Sequence, residues 1–255
     1  MSVESEELST DEAAETAESQ RRLVGENIVT GYDNHTVIHD VSVESRPGVT
    51  CIFGPNGSGK STLVNTLNGS MSLWSGSLHF DGENIADIPP YELVKRGIVT
   101  LPQDGGLFPS LSVDENLKIG AHTIDDEDVV QQRLQETYEE LPLLKQKRYA
   151  KAGSLSGGQQ MILSFGRATM LDTDVYLLDE PSAGLAPSLI DDVIELIETL
   201  VDRGAHVILV EQNVQAALRV ADYVYLLAQG ELKFEGTPDE LSEKDRLLDI
   251  YLGIE

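Results

Sequence analysis

Apolar residues along the chain follow two rhythms. Short unbroken apolar runs occur at Val49–Phe53, Gly97–Leu101, Val175–Leu178, Ala205–Val210 and Tyr223–Ala228. Runs this short, without polar alternation, predict strands buried on both faces. Elsewhere the apolar positions fall three and four apart. Behind Pro187, the residues Leu189, Ile190, Val193, Ile194, Ile197, Leu200 and Val201 share one face of a helix that the proline opens. A further helix is predicted from Lys60 to Asn68. Strands alternating with helices predict an α/β fold around a mostly parallel sheet.

Two stretches break the alternation. From about Ser112 to Ala150 the composition is helical and includes the acidic patch Asp125-Asp126-Glu127-Asp128. It reads as an inserted helical subdomain, placed at about 104–172. Residues 1–20 are rich in Glu, Ser, Thr and Ala with almost no large apolar side chain, which reads as a disordered acidic leader ahead of a folded unit at 21–255. Thr237–Leu241 and Arg246–Leu252 read as small closing helices.

Composition narrows the class. A chain of 255 residues that is 40% hydrophobic can bury a substantial core. No apolar run approaches the roughly 18 residues of a membrane span, and the N-terminus lacks the basic-then-apolar order of a signal peptide. The one cysteine, Cys51, lies within the first apolar run and reads as a core thiol. It excludes an internal disulfide and a cysteine-based zinc site. Asp and Glu number 44 against 18 Lys and Arg, a net charge of −26. The leader carries Glu4, Glu6, Glu7, Asp11, Glu12, Glu15 and Glu18 and no base, yet the remaining 37 acids against 18 bases still leave −19. Such a surface repels nucleic-acid phosphates and disfavours anionic lipid. It reads as the surface of a halophile protein, where salt near 1 M shortens the Debye length to about 3 Å.

Two sets of residues carry chemistry. Gly54-Pro55-Asn56-Gly57-Ser58-Gly59-Lys60-Ser61 fits the phosphate-binding P-loop pattern, between a predicted strand and a predicted helix. Its glycines let backbone N–H groups turn inward as an anion nest, and the following helix aims its positive end at the phosphates. Lys60 brings a charge to the β- and γ-phosphates, Ser61 a hydroxyl to Mg²⁺, and Thr62 a neighbouring phosphate contact. The second set ends the run Val175–Leu178, where Asp179 and Glu180 follow directly. Carboxylates at the C-terminal edge of an α/β sheet stand where ligands bind. Beside a P-loop, Asp179 reads as a Mg²⁺ partner through water and Glu180 as the group that polarises the attacking water.

A third motif, Leu155-Ser156-Gly157-Gly158-Gln159, resembles the signature of ATP-binding-cassette (ABC) ATPases. With the P-loop, Gln103 and the Asp179-Glu180 edge it makes four motifs in that family's order, over roughly residues 22 to 253. The resemblance implies the P-loop ABC-ATPase fold: a mostly parallel sheet core, an antiparallel β subdomain and an inserted helical subdomain. It implies ATP and Mg²⁺ as ligands, with Ser61, Gln103 and Asp179 around the metal. It also implies head-to-tail dimerisation, in which Ser156, Gly157 and Gly158 of one chain close on the γ-phosphate held by the other. Tyr32 matches the aromatic that stacks on adenine, or is an ordinary strand tyrosine. The family's common histidine after the strand Val207–Val210 is replaced by Gln212, and its common loop aspartate by Leu185. Glutamine donates a hydrogen bond but cannot become charged.

Ser182–Pro187, Val210–Asn213 and the ending Tyr251-Leu252-Gly253 look like the branched-chain amino acid importer ATPases, a subgroup that also serves urea and short amides, and among them like the second ATPase subunit. Implied partners are membrane permease subunits, a second ABC ATPase subunit or another copy of this chain, and indirectly a solute-binding protein, with no nucleic acid. The implied location is the cytoplasmic face of the membrane, held there by the permeases. Lys145, Lys147, Arg148 and Lys151 are either a solvated helix end or a contact with a membrane subunit or nucleotide. Trp74 reads as a packing residue, and Tyr91 and Phe108 as the border of a groove for a permease helix.

Overall fold

The computed structural model describes residues 22–243. Its strands are β1 Leu23–Tyr32, β2 His35–Glu44, β3 Val49–Phe53, β4 Ser75–Phe80, β5 Glu83–Asn84, β6 Ile98–Leu101, β7 Val175–Asp179, β8 His206–Glu211, β9 Tyr223–Ala228 and β10 Glu231–Gly236. They form a six-stranded sheet in the order β10-β9-β3-β8-β7-β6 and a four-stranded sheet in the order β2-β1-β4-β5. In the larger sheet β9, β3, β8, β7 and β6 are parallel and β10 returns antiparallel along β9. The smaller sheet is antiparallel throughout.

The apolar runs form the parallel strands because both faces of that sheet are covered. Along β3, Val49, Cys51 and Phe53 enter one core, while Ile52 enters the other. Val207 and Leu209 separate from Ile208 and Val210 in the same way, as do Tyr176 and Leu178 from Val175 and Leu177. The first core is closed by the helices Gly157–Ala168 and Pro187–Asp202, through Met161, Phe165, Val193, Ile197 and Leu200. The second is closed by the helix Lys60–Leu67 and the antiparallel sheet, through Leu63, Val64, Leu67, Leu23, Ile28 and Leu78. Cys51 is fully buried, and burial pushes its thiol well up, with the Glu211 and Asp222 charges adding to the shift.

In chain order the helices are α1 Lys60–Leu67, α2 Pro90–Lys95, α3 Val113–Gly120, α4 Glu127–Glu140, α5 Pro142–Gln146, α6 Gly157–Ala168, α7 Pro187–Asp202, α8 Val214–Leu218 and α9 Pro238–Ser242. A third core unites α3 to α6 through Val113, Leu117, Val130, Leu134, Tyr138, Leu144 and Leu163. The segments expected to be a leader at 1–20 and a helix at Arg246–Leu252 lie outside the described residues. Trp74 sits in a bend before β4, is 44% exposed, and donates its backbone N–H to the Val29 carbonyl at 2.9 Å.

Candidate active site

Four neighbouring parallel strands end at one edge of the sheet, and each releases a loop bearing residues expected at the site. The loop after β3 is the glycine-rich cradle, β6 leads to Gln103, β7 to Glu180 and β8 to Gln212. The register sets Phe53 beside Glu211 and Asp179 beside Val210. The loops therefore start level and converge on a cavity of about 280 Å³. Asn56, Gly57, Lys60, Ser61, Gln103, Glu180 and Gln212 line it, together with Val37, Gly59 and Thr62.

The cradle's glycines answer to sterics. Gly59 is the N-cap of α1 at φ 104, where a side chain would also meet Ile38 at 2.6 Å. A Cβ on Gly54 would lie 2.0 Å from the Leu227 carbonyl oxygen. Lys60 is 5% exposed and its Nζ donates to the carbonyls of Gly54 at 2.8 Å and Pro55 at 3.2 Å. Burial pulls its pKa down, and the charges of Glu180, Asp179 and Glu211 oppose that shift. The cradle's cation thus rests on its own loop, with Glu180 Oε1 at 3.9 Å.

Glu180 is 6% exposed and stands at φ 51, a left-handed backbone that costs a residue with a Cβ of order 1 kcal/mol or more. Its amide donates to the Val210 carbonyl at 2.8 Å. Both of its carboxylate oxygens accept from Gln212 Nε2 at 2.6 Å, and Oε2 also accepts from Gln103 Nε2 at 3.2 Å. The residue that replaces a histidine thus meets the acid directly, with a fixed donor and no titration of its own.

Asp179 is treated differently. Its Oδ1 is buried and has no hydrogen-bond partner. Burial raises its pKa, the Glu180 charge raises it further, and Lys60 partly offsets both. An orphaned carboxylate oxygen beside a phosphate cradle fits a divalent cation. Among the described residues no cluster of three His, Cys, Asp or Glu is placed to hold a metal alone.

The remaining expected residues lie apart from this cavity. Tyr32 ends β1 and is 52% exposed. Pro55 is exposed, Ser58 is buried with an unpartnered hydroxyl, and neither lines the cavity. The signature segment is not brought to its own chain's cradle. Ser156 caps α6 in a reciprocal box, its Oγ accepting from the Gln159 amide at 3.4 Å and the Gln159 side chain accepting from the Ser156 amide at 3.2 Å. Leu155 anchors it in the helical core and Gly158 abuts Leu189. Ser156 and Gly157 face solvent, leaving free N–H groups at a helix start. Arg148 turns inward to Asp114 at 2.9 Å, so the basic cluster is partly internal structure. One carboxylate here carries no expectation from spacing. Glu211 is 3% exposed at the end of β8, and burial pushes its pKa up against hydrogen bonds from Ser182 and neighbouring amides. Its sequence signal is an acid directly after the apolar run Val207–Val210, as Asp179 directly follows Val175–Leu178.

Residues 38–183 match the family model for ABC transporters. The chain is 39% identical to the high-affinity branched-chain amino acid transport ATP-binding protein BraG of Pseudomonas aeruginosa, over 89% of this chain and 98% of that one. It is 33% identical to the lipopolysaccharide export system ATP-binding protein LptB of Escherichia coli, over 91% of this chain and 97% of that one. Its fold superposes on a nucleotide-free ATP-binding cassette from an ABC transporter with a TM-score of 0.79 at 29% identity, covering 91% of this chain and 98% of that chain.

Proposed function

The chain belongs to the ABC transporter family, whose ATP-binding subunits hydrolyse ATP, and from that premise we propose that it is the motor subunit of an importer for branched-chain amino acids or short amides. The observation that carries the hydrolytic part is the convergence of Lys60, Gln103, Glu180 and Gln212 on one cavity beside the P-loop. Backbone N–H groups of the cradle, with Lys60, Ser61 and Thr62, bind the phosphates. Glu180 takes the proton of the attacking water, and Gln212 and Gln103 hold that carboxylate and the γ-phosphate in line. Mg²⁺, held by Ser61, Gln103 and Asp179, supplies neutralisation of the phosphate charge. Tyr32 stacks on the adenine. Ser156, Gly157 and Gly158, at the start of α6 with Ser156 and Gly157 exposed, close on the nucleotide of a second cassette, so binding drives closure and hydrolysis reopening.

The importer reading rests on the relatedness to BraG. Among the described residues no helix is long and apolar enough to cross a membrane, and transport then takes permease subunits as partners. Their contact falls on the groove of about 300 Å³ lined by Val94, Val99, Leu101, Phe108, Ile119 and His122. Tyr91, 62% exposed, stands outside that lining. The likeness to LptB favours a second reading, export. Reconstituting the chain with its cognate permease subunits separates the two. ATP-driven uptake of leucine, valine or a short amide into vesicles supports the importer, and ATP-driven movement of lipid the other way replaces it.

A further inference from the structure

We propose that Glu211 is a positioning residue that fixes the geometry of Glu180 by tying together the two loops on either side of it. The proposal rests on the hydrolytic reading above. Glu211 does not line the nucleotide cavity and makes no hydrogen bond to Glu180. Its carboxylate is instead held by backbone amides of both loops, with the Ser182 hydroxyl and the Asn213 amide also favouring its charged form. Oε1 accepts from the Ser182 N–H at 3.0 Å, and Oε2 accepts from the Gln212 N–H at 3.2 Å. Ser182 lies two residues beyond Glu180, in the loop that leads to α7. Gln212 sends its Nε2 to both oxygens of Glu180 at 2.6 Å.

These bonds close a ring. Glu180 is joined to β8 through the Val210 carbonyl at 2.8 Å, and its own carbonyl accepts from Ala183 at 3.0 Å. The loop bearing Ala183 is joined to Glu211, Glu211 to Gln212, and Gln212 back to Glu180. The left-handed backbone of Glu180 needs such over-determination to persist.

Packing alone gives a poor account of a carboxylate here. Burying a charge at the end of the fully buried strand His206–Glu211 is costly unless its oxygens are used. An apolar side chain would fill the space and leave two amides unpartnered. A carboxylate is the side chain with two acceptor oxygens and no donor, which two converging N–H groups require. Glutamine in its place keeps one acceptor and turns an NH₂ group toward the other amide, so one loop is released. Since Glu211 acts through Gln212, its loss slows the chemical step and leaves nucleotide capture alone.

The test is a double-mutant cycle on the full chain, reading ATP turnover, ATP affinity and melting temperature. Glu211→Gln lowers kcat about tenfold and changes ATP affinity by less than about twofold. Glu211→Asp, with both oxygens retained, recovers part of the loss. In the Gln212→Ala background the Glu211→Gln change costs less than about twofold, because the residue it works through is gone. Multiplicative effects of the two substitutions, or a rise in KM with unchanged kcat, overturn the proposal. Hydrogen exchange on the unmodified chain reads the tie without any variant. Slow exchange of the Ser182 and Gln212 amides supports it, and exchange at the rate of free loop amides overturns it. A chain without ATP turnover defeats the hydrolytic reading instead, while amide protection still decides whether the tie exists.

Discussion

The sheet edge around the cavity and the helical cluster of α3 to α6 both hold acids withdrawn from solvent, Glu180 and Glu211 buried in the one and Asp114 half-buried in the other, and they treat them in opposite ways. In the helical cluster Asp114 is satisfied on every side. Its Oδ1 accepts from the Tyr138 hydroxyl at 2.8 Å and from Arg148 at 2.9 Å, and its Oδ2 faces Lys118 at 3.0 Å. Burial pushes this carboxyl up, but donors from Lys118 and Tyr138 and the Lys118 and Arg148 charges outweigh it and hold the pKa below its ordinary value. At the sheet edge Asp179 keeps an orphaned oxygen and Glu180 a left-handed backbone, and the pKa values of Asp179 and Glu211 are raised. The helical cluster is complete without a ligand. The edge is arranged for charge that arrives from outside, and the apo fold bears the cost of keeping it ready.

The largest test of that contrast removes the acid assigned to the chemistry. Glu180→Gln keeps the shape and the amide contacts, so ATP still binds, and steady-state turnover falls by about 10²- to 10⁴-fold. Turnover near that of the unmodified chain would remove Glu180 as the base. The next effect is about 100-fold in the unfolding equilibrium. ATP with Mg²⁺ at 100 times Kd stabilises the Glu180→Gln chain by about 2.7 kcal/mol. Asp179→Asn abolishes the Mg²⁺-dependent part and leaves the ligand-free chain at least as stable, since a poorly compensated buried charge has gone. A large loss of ligand-free stability in Asp179→Asn would make Asp179 a structural residue like Asp114.

How much of this the residues announce depends on how tightly chemistry constrains them. A phosphate nest needs glycine and lysine at fixed spacing, so Gly54 to Ser61 stand out in any context. Parallel strands buried on two faces write themselves as apolar runs, and Tyr223–Ala228 is bounded to the residue. The antiparallel sheet is harder to read. In β1 the alternation breaks at Asn27, whose φ of 51 accompanies a shift of register against β2 and β4. In β2, Ile38, Val41 and Val43 are buried across Asp40, at φ 56. A period of two with a bulge in it resembles no period. The meeting of Gln103 with Glu180 is invisible in spacing, because 77 residues separate them and strand order brings them together. Glu211 is hidden for another reason. Its function lies in which backbone amides its oxygens meet, and only the alignment of β7 with β8 sets that.

The smallest effect belongs to the helical cluster and reads its completeness directly. Asp114→Asn removes an ionised acceptor shared by three donors and destabilises the chain by about 1.5–3 kcal/mol at neutral pH. Tyr138→Phe removes one of those donors and costs about 1 kcal/mol. Neither lines the nucleotide cavity, so the stabilisation by ATP with Mg²⁺ is retained in both. The sign of the pH dependence follows from the lowered pKa. A carboxylate depressed in the fold contributes stability that is present above its unfolded value near 3.9 and is lost as the pH falls through its folded value. Urea unfolding of the unmodified chain and Asp114→Asn therefore gives a constant gap from pH 7 down to about 5. The gap narrows only below about 4, when Asp114 takes up a proton and comes to resemble the asparagine. A gap that narrows already between pH 7 and 5 would mean that Asp114 carries a raised pKa. The helical cluster would then share the unfinished electrostatics of the sheet edge.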